Sequence, residues 1–367
     1  MVKGPLHLLQ MLEERKRKGL FRSLKNYQHL IDFSSNDYLG FAKAGLLQSG
    51  ISNKDFQSGS TGSRLISGHT AIVEDLENKI AEFHSAEAAL VFNSGYDANL
   101  GLLSSTTSKH DLILYDELIH ASIHDGIRLS LAKSYKIKHN DIEHLKRMLD
   151  RNTDVAGNIY VVVESVYSMD GDCAPLLELT KVCDNKKIFL IVDEAHAIGV
   201  FGKNGRGLCN ELGIESSVFA RVYTFGKAMG CHGAAVVGSQ LLKDYLINYA
   251  RSFIYTTALP PHSIAIIAAA YDLLASTNTI SKLKENIEWF NDLAREKDGF
   301  IESKSAIHCR VYGDNNKVNE IENKFEAAGL FVKGIKSPTV KAGSERIRIC
   351  LHAFNTKEEI KRLIDLL

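Results

Sequence analysis

Short apolar runs alternate with longer mixed segments through the middle of the chain. In chain order the runs are ALVF, DLILY, YKIK, NIYVVVE, KIFLIVDE, RVYTFG and GAAVVG. Their length is typical of buried β-strands, and the stretches between them are long enough to form helices. Strands that alternate with helices predict an α/β fold, in which a mostly parallel central sheet is flanked by helices on both faces.

The two ends of the chain have a different pattern. Residues 6–24 place leucines among charges at near-helical spacing, with a basic run that we expect to face solvent. Near the C-terminus the strand candidates IHCRVYG and RIRICLH alternate with the helix candidates VNEIENKFEAAG and TKEEIKRLIDLL. We therefore predict an N-terminal helix and arm over residues 1–47, a large α/β domain over 48–272 and a smaller α+β domain over 273–367.

Composition narrows the classes of function. The chain has 367 residues, of which 45% are hydrophobic and 24% charged, as in ordinary globular proteins. Lys plus Arg and Asp plus Glu are both 44, so no net charge draws the chain to nucleic acid or to an anionic membrane. The longest apolar stretch, residues 264–275, is too short to cross a bilayer. We expect neither nucleic acid nor membrane as a partner.

The cysteines are scattered, and no two have the C-x-x-C spacing of a zinc or redox site. This pattern is typical of small core residues in a reducing compartment, so we expect a cytoplasmic protein. The cysteines are Cys173, Cys183, Cys209, Cys231, Cys309 and Cys350.

Three consecutive strand candidates are followed by polar side chains. In open parallel sheets, ligands bind beyond the carboxyl ends of the strands, so these positions are candidates for a site. A carboxylate, an imidazole, a hydroxyl and an amine would converge there. In chain order the residues are Ser165, Tyr167, Ser168, Asp170 and Asp172, then Asp193, Glu194 and His196, then Gly226 and Lys227.

The letters Asp193-Glu194-Ala195-His196 also occur in helicases, where the acidic pair holds magnesium on a nucleotide. That interpretation requires an upstream phosphate loop of the form G-x-x-x-x-G-K-[ST]. The sequence has none, because Gly226-Lys227 is followed by Ala228. The neutral charge balance also gives no basic track for nucleic acid. We therefore set the helicase interpretation aside.

Lys227 follows an apolar strand and is flanked by small residues that leave room around the amine. A partly desolvated lysine has a depressed pKa and can form a Schiff base, although Lys227 taken alone fits a surface lysine at a strand end better. Asp193 favours the Schiff base, because a strand-end carboxylate can keep a pyridine nitrogen protonated. His196, three residues on, could lie near the phenolic oxygen of such a ring.

His120 and His124 are four residues apart and could share one face of a helix. Such a pair could bind a metal, but the sequence offers no clear third ligand. The two histidines could also be structural, or His120 could stack on a ring or act as an acid or base. The sequence leaves these alternatives open.

Three short clusters of glycines and hydroxyl residues could hold a phosphate. Glycines let backbone amides approach an anion, and helix N-termini favour negative charge. Taken alone, each cluster is more typical of a turn or a helix N-cap than of a phosphate site. The clusters are residues 58–63, 93–96 and 255–257.

Taken together and in order, these residues resemble the α-oxoamine synthases over nearly the whole chain. The family consists of fold type I pyridoxal-phosphate enzymes that condense an amino acid with an acyl thioester and release carbon dioxide. The matching motifs are FSSNDYLG at 33–40, GSRLISG at 62–68, FNSGYDAN at 92–99, DELIHASIHDG at 116–126, HND at 139–141, SMDGD at 168–172, DEAHAIGVFG at 193–202, GRG at 205–207, TFGKAMG at 224–230 and YTTALPP at 255–261.

The resemblance implies which residues are catalytic. Lys227 would carry pyridoxal 5'-phosphate as a Schiff base, and Asp193 would pair with the pyridine nitrogen. His196 and Ser168 would contact the phenolic oxygen. His120 would stack on the cofactor ring and border the substrate.

The resemblance also assigns the phosphate end of the cofactor. Gly95, Tyr96 and Thr224 would hold the phosphate from the same chain. Thr256 and Thr257 would reach it from the partner subunit, which implies a homodimer with its active site at the subunit interface.

Substrate positions follow from the same resemblance. Asn36 and Arg348 match positions that bind the amino-acid carboxylate, and Arg22 and Thr339 match acyl-substrate positions. The GSRLISG form and the compact length are most similar to the branch of biotin biosynthesis that joins alanine to a pimeloyl thioester, carried on coenzyme A or a carrier protein. The branches that transfer acetyl groups to glycine or palmitoyl groups to serine are more distant.

Two departures from that branch concern the substrate. Lys336 stands where an arginine is common, and Cys231-His232 replaces smaller residues after the lysine loop. Either change could alter the preference for the acyl chain or its carrier.

Three other functions compete with this interpretation: a fold type I aminotransferase, a β-eliminating lyase and a non-catalytic partner subunit. Lys227, His120 and Asp193 together argue against the partner subunit.

Overall fold

The structure, a computed structural model, describes residues 4–47 and 56–367. Residues 1–3 and 48–55 lie outside the described part, and with them lies the predicted start of the large domain at residue 48.

The β-strands of the described residues are β1 Ile31–Asp32, β2 Ala88–Phe92, β3 Leu112–Asp116, β4 Lys133–Ile137, β5 Ile159–Glu164, β6 Ile188–Asp193, β7 Ala220–Thr224, β8 Ala234–Gly238, β9 Ile307–Val311, β10 Leu330–Phe331, β11 Lys333–Ile335 and β12 Arg346–Cys350. The α-helices are α1 Leu6–Arg17, α2 Ala71–Phe83, α3 Gly95–Thr106, α4 Ala121–Leu129, α5 Ile142–Asp150, α6 Leu176–Val182, α7 Leu208–Glu211, α8 Gln240–Tyr249, α9 Arg251–Ile254, α10 Pro261–Ser276, α11 Thr279–Ala294, α12 Asn315–Ala327 and α13 Lys357–Leu366. Two short 3₁₀ helices span Lys203–Gly205 and Glu215–Ser217.

A seven-stranded sheet forms the centre of the molecule, in the order β2-β8-β7-β6-β5-β3-β4. All neighbouring pairs are parallel except those made by β8, which runs antiparallel to β2 and β7. Each of the seven apolar runs forms one of these strands. The prediction of a mostly parallel central sheet flanked by helices is therefore confirmed.

Alternating residues of the central strands pack on opposite faces. Val162 contributes to the core under α3, α4 and α8, whereas Val161 and Val163 contribute to the core on the other face, which α2, α5 and α6 cover. Because both faces are buried, these strands can be apolar throughout, which explains the unbroken sequence YVVV.

The C-terminal part contains a second, antiparallel sheet in the order β11-β12-β9. The candidates IHCRVYG and RIRICLH form β9 and β12, and VNEIENKFEAAG forms most of α12. The N-terminal arm joins this part, since Ile31 and Asp32 pair in parallel with Leu330 and Phe331. The three domain limits given above stay a prediction.

The N-terminal helix is shorter than the leucine spacing over residues 6–24 suggests, because it ends at Arg17. Gly19 adopts a left-handed φ of 65°, and Leu20 donates its backbone N–H to the carbonyl of Arg15 at 2.8 Å. This is the geometry of a glycine C-cap, which any other residue would adopt only with strain. The basic run is exposed, as expected.

Among the described residues, no single helix has both the length and the apolar character needed to span a membrane. The adjoining helices α10 and α11 meet that criterion only as a pair, and they are bent by 68°.

Candidate functional site

A cavity of about 260 Å³ opens at the carboxyl ends of β5, β6 and β7. Because these strands are parallel, the residues that follow them meet at one edge of the sheet. Most of the site residues expected from the sequence line this single cavity. They are Asn36, Gly95, Tyr96, His120, Asp193, His196, Thr224 and Lys227.

Asp193, the last residue of β6, is 5% exposed and accepts two hydrogen bonds. Asn99 on α3 donates its side-chain amide to Oδ2 at 2.7 Å, and the backbone N–H of Ala195 donates to Oδ1 at 2.9 Å. Both oxygens therefore have a neutral donor, which stabilises the carboxylate without neutralising its charge.

His120 is the N-cap of α4, and its ring is fixed by two contacts with Ser122. The backbone N–H of Ser122 donates to Nδ1 at 3.2 Å, and the Ser122 hydroxyl lies 2.8 Å from the same nitrogen. Because Nδ1 accepts a hydrogen bond, the ring proton is on Nε2. Burial lowers the pKa of His120, so the ring is neutral at pH 7.

Lys227 lies three residues beyond β7, with its side chain half-buried in the cavity. Burial lowers the pKa of its amine, although the carboxylates of Asp193 and Glu164 oppose that shift. A larger share of the amine is therefore neutral than in a solvated lysine, which is what a nucleophile or base requires.

The N-terminus of α3 forms an anion cradle with β7. Ser94 caps the helix by accepting the backbone N–H of Asp97 at 3.1 Å. Thr224 is 8% exposed, and its Oγ1 has no hydrogen-bond partner. A Cβ at position 95 would lie only 2.4 Å from Cγ2 of Thr224, so only Gly95 lets the helix approach β7 this closely. Backbone amides and a free hydroxyl suit a phosphate at this position.

Glu164 also lines the cavity, although no sequence pattern singled it out. It ends β5, is the register partner of Asp193, and is 3% exposed. Burial, together with the charge of Asp193, raises the pKa of Glu164 to about 8. Its position after VVV is the available signal, but a polar residue there equally fits the ordinary end of a strand. Asn99 and Ser122 were missed for a different reason, because each lies on a helix among other polar residues and nothing in the sequence marks it as buried.

Arg348 on β12 reaches the edge of the cavity from the C-terminal part. Its Nε donates to the carbonyl oxygen of Ser168 at 2.7 Å, and its Nη2 donates to Oδ1 of Asn36 at 3.0 Å. The structure therefore places the backbone of Ser168 next to Arg348, and the Ser168 side chain is not among those that line the cavity. Arg346, two residues before Arg348, pairs with Asp170.

The remaining expected residues lie elsewhere. Arg22 donates to Oγ1 of Thr339 at 3.4 Å in a separate groove of about 630 Å³ between the N-terminal arm and the C-terminal part. Lys336 lines this groove and pairs with Glu322 at 2.9 Å. Tyr96 does line the cavity, but its hydroxyl donates to Asp125 on the surface of α4.

Thr256 and Thr257 lie beside the end of β2, outside the cavity of their own chain. Asn93 donates its amide to Oγ1 of Thr256 at 3.1 Å and to the carbonyl of Thr257 at 2.7 Å.

The described residues contain no group of three or more His, Cys, Asp or Glu side chains arranged to hold a metal ion.

The donor set of the cavity fits one cofactor. A lysine amine of lowered pKa matches an aldehyde, a hydrogen-bonded carboxylate matches a ring nitrogen, and the cradle at α3 matches a phosphate. These are the three groups of pyridoxal 5'-phosphate. The cavity and the parallel sheet define a pyridoxal-phosphate enzyme of fold type I.

Comparisons with known proteins agree with this class. A family model described as aminotransferase class I and II matches residues 28–367. The 8-amino-7-oxononanoate synthase of Emericella nidulans is 42% identical over 91% of this chain and 88% of that protein. A solved 8-amino-7-oxononanoate synthase from Francisella tularensis has a TM-score of 0.77 at 34% identity, over 92% of this chain and 96% of that chain. A serine palmitoyltransferase from S. paucimobilis, with a bound PLP-myriocin aldimine, has a TM-score of 0.87 at 26% identity, over 98% of this chain and 96% of that chain.

The chain belongs to the aminotransferase class I and II family and, within it, to the α-oxoamine synthases, which are pyridoxal-phosphate-dependent acyltransferases. The predictions of family, fold class and cofactor are therefore confirmed.

Proposed function

We propose that this enzyme condenses L-alanine with a pimeloyl thioester to give 8-amino-7-oxononanoate, carbon dioxide and free thiol, a step of biotin biosynthesis. The observation that carries the proposal is the position of Arg348 at the edge of the Lys227 cavity, held by Ser168 and Asn36. A guanidinium at this place suits the carboxylate of an amino acid. The similarity to 8-amino-7-oxononanoate synthases supports the choice of acyl chain and amino acid.

Arg348 keeps two hydrogens for a substrate. A guanidinium has five N–H groups. Its Nε–H binds the carbonyl of Ser168, one hydrogen of Nη1 binds Sγ of Cys350 at 2.8 Å, and one hydrogen of Nη2 binds Asn36. These three bonds leave one hydrogen on each terminal nitrogen, which is the pair that a bidentate carboxylate requires, and the Tyr38 hydroxyl is a further neighbour of this guanidinium. Binding there would fix which bond of the amino-acid Cα lies perpendicular to the cofactor ring.

Bound pyridoxal phosphate supplies an electrophilic carbon for the substrate amine and a protonated ring that withdraws electrons from Cα. Lys227 would take the Cα proton on its Nζ, and a positioned base of this kind contributes roughly 10² to 10⁴ in rate. Asp193, held by Asn99, would keep the proton on the ring nitrogen. His120, oriented by Ser122, would cover one face of the ring.

The active site is proposed to be shared within a homodimer, with Thr256 and Thr257 reaching the phosphate of the partner's cofactor. In support, both threonines lie outside their own cavity, Thr257 exposed and Thr256 half-buried, and two apolar side chains of this region, Ile66 and Tyr255, are 83% and 72% exposed. A second copy of this chain would cover such a surface. All six cysteines lie within the described residues and none of them forms a disulfide there, which supports a cytoplasmic location.

A second α-oxoamine synthase activity is favoured by one observation. The serine palmitoyltransferase structure matches this fold over nearly its whole length, so serine with a long acyl thioester is the competing substrate pair. The Lys336 departure lies in the groove that would receive the acyl chain, and Glu322 already pairs with it. The acyl group could be carried on coenzyme A or on a carrier protein, and the same groove would have to accept either carrier.

The proposal is tested by measuring thiol release with alanine, glycine and serine, each against acetyl, pimeloyl and palmitoyl thioesters on coenzyme A and on carrier protein. We expect the maximum with alanine and the pimeloyl group. A maximum with serine and palmitoyl would establish the competing activity, and keto-acid formation without thiol release would identify an aminotransferase. The Lys227→Ala variant should fold and release no thiol in any combination.

A further inference from the structure

A buried tyrosine hydroxyl of the N-terminal arm connects two parts of the site. Tyr38 is 0% exposed, and its hydroxyl lies 2.7 Å from Nδ1 of His196 and 3.1 Å from Oδ1 of Asn36. Its backbone is fixed as well, because Ala353 donates its N–H to the carbonyl of Tyr38 at 2.8 Å. None of the roles assigned above uses this hydroxyl.

The hydrogen bonds fix the direction of each proton. Oδ1 of Asn36 accepts from Nη2 of Arg348, so this atom is an oxygen and can only accept. Both contacts of the Tyr38 hydroxyl can be hydrogen bonds only if its single proton points to Asn36. The phenol oxygen is then left as the acceptor for His196, so Nδ1 of His196 carries a hydrogen.

His196 is neutral, because burial lowers its pKa well below the ordinary value and the cations Lys227 and Arg348 add to that effect. A neutral imidazole has one N–H, and that N–H is on Nδ1. The opposite nitrogen, Nε2, is therefore a bare acceptor on a side chain that lines the cavity. Without Tyr38 the ring would be free to carry its proton on either nitrogen.

We infer that Tyr38 is a positioning residue, which fixes His196 with its proton on Nδ1 and couples it, through Asn36, to the carboxylate-binding Arg348. Tyr38 and Arg348 donate to the same oxygen of Asn36. A carboxylate that binds Arg348 and the amide of Asn36 therefore shifts the acceptor that orients the Tyr38 proton. In this way His196 responds to the presence of the amino acid. The link to the substrate carboxylate rests on the proposed function, whereas the tautomer of His196 does not.

A purely structural role of Tyr38 can be distinguished by experiment from the positioning of His196. Tyr38→Phe keeps the aromatic ring in the core and removes only the hydroxyl. The Nδ1–H of His196 would then be buried without an acceptor, which costs roughly 1–3 kcal/mol. The proton is therefore expected to move to Nε2, which faces the cavity.

The matched control is Tyr271→Phe. Tyr271 is also buried, at 2% exposed, and its hydroxyl also contacts a histidine, with 3.0 Å to Nε2 of His84. That pair lies outside the cavity, so the control loses an equivalent hydrogen bond without touching the site.

The test is ¹⁵N NMR of the holoenzyme labelled at histidine, with His196 assigned by the His196→Gln variant. We expect wild type to carry the proton on Nδ1, Tyr38→Phe to carry it on Nε2, and Tyr271→Phe to match wild type. A wild-type proton on Nε2, or an unchanged His196 in Tyr38→Phe, would overturn the inference. The wild-type spectrum decides the tautomer even if the variant fails to fold.

The coupling is tested on the same samples by adding alanine, glycine or serine until the cofactor absorbance shows saturation. Because His196 borders the cofactor, its signals should move in all three proteins, but they should move further in wild type and in Tyr271→Phe than in Tyr38→Phe. The variant's kcat should fall, and its KM for the amino acid rise, by roughly tenfold each, with cofactor content unchanged. Equal movement in wild type and in Tyr38→Phe would refute the coupling. No acyl thioester is present in the NMR measurement, so a different acyl preference would leave its outcome unaffected.

Discussion

Asn99 donates its side-chain amide to Oδ2 of Asp193 at 2.7 Å, across the gap between α3 and the end of β6. The same amide nitrogen donates to Oγ of Ser122 at 3.0 Å, and Ser122 orients the ring of His120. One helix residue therefore aligns the carboxylate for the ring nitrogen and the histidine that would cover the ring. One strand and two helices are aligned with each other through this amide.

Replacing Asn99 with alanine should reduce the rate of thiol release by roughly tenfold to 10²-fold, since a hydrogen bond to a charged group is worth roughly 1.5–3 kcal/mol. The physical reason is that Asp193 loses a donor and Ser122 loses its partner at the same time. Asp193→Asn should be slower still, by about 10² to 10³-fold, because the charge itself is removed.

The control for Asn99 is Asn248→Ala on α8, where the side chain donates only to the carbonyl of Asp244. This variant should retain normal turnover. If Asn99→Ala also kept the wild-type rate and cofactor absorbance, the alignment through Asn99 would have no role in catalysis.

Arg348→Lys should raise the KM for the amino acid by between about tenfold and 10²-fold. A lysine has one nitrogen, so it cannot bind Ser168, Asn36 and a bidentate carboxylate together, and a charged hydrogen bond is worth roughly 1.5–3 kcal/mol. Initial rates at varied amino-acid concentration measure the effect. Arg310→Lys, on the neighbouring β9, is the control, and an equal KM in both variants would contradict the role of Arg348.

The shared active site predicts complementation between two inactive variants. Lys227→Ala and Thr257→Ala, mixed and refolded together, would form heterodimers in which one site has both native residues. We expect thiol release to recover in the mixture to a fraction of the wild-type rate. If Thr257 acted within its own chain, that site would not be restored, and the mixture would stay as inactive as its components.

Glu164 should make the cofactor-free protein less stable as the pH rises. The folded-state pKa of about 8 is above the ordinary value of 4.5, because of burial and the nearby charge of Asp193. The folded protein therefore keeps a proton that the unfolded chain releases, and the free energy of unfolding falls between about pH 4.5 and pH 8. Glu164→Gln removes this dependence.

Urea unfolding at pH 5 and pH 9 measures this effect. The stability of Glu164→Gln relative to wild type should rise from the lower to the higher pH, whereas Glu285→Gln on the exposed side of α11 should follow wild type at both. A constant difference between Glu164→Gln and wild type would show that the carboxyl is already ionised at pH 5.

The central sheet was predictable because each of its strands has a local signal in the sequence. Each of β2 to β8 is a short apolar run, and the polar residues after parallel strands meet at one edge, which places Asp193, His196 and Lys227 together. Arg348 was not predictable in this way. It lies on β12 of a different sheet, and its approach depends on the carbonyl of Ser168, which is 180 residues earlier in the chain. Only the resemblance to a family identified it.

Supporting residues were harder to find for a physical reason. Asn99 and Ser122 lie on helices, where a single polar residue is most often on the solvated face, so their burial against Asp193 has no signature in the sequence. Tyr38 was part of a recognised motif, but its hydroxyl has a partner 158 residues away. The direction of the Tyr38 proton follows from this contact, so it can be inferred only from the three-dimensional structure.

His139 should stabilise the fold most at acid and neutral pH. Its Nδ1 lies 2.9 Å from Asp116 and its Nε2 lies 2.8 Å from Asp172, so both ring nitrogens face carboxylates. Burial alone lowers the pKa of His139, but hydrogen bonds and charge from the two aspartates outweigh it and raise the pKa to about 10. Because this is above the ordinary 6.5, the stabilisation is complete below about pH 6.5 and is lost as the pH rises through 10.

His139→Gln should therefore lower the free energy of unfolding by about 3 kcal/mol at pH 6, near the lower end of the range for broken buried ion pairs because the ring is partly exposed. Urea unfolding from pH 6 to pH 10 should show the difference from wild type shrinking across the series. The exposed His29→Gln should differ little from wild type at any pH. A difference for His139→Gln that is as large at pH 10 as at pH 6 would mean that hydrogen bonding or packing, and not the charge on the ring, holds Asp116 and Asp172 together.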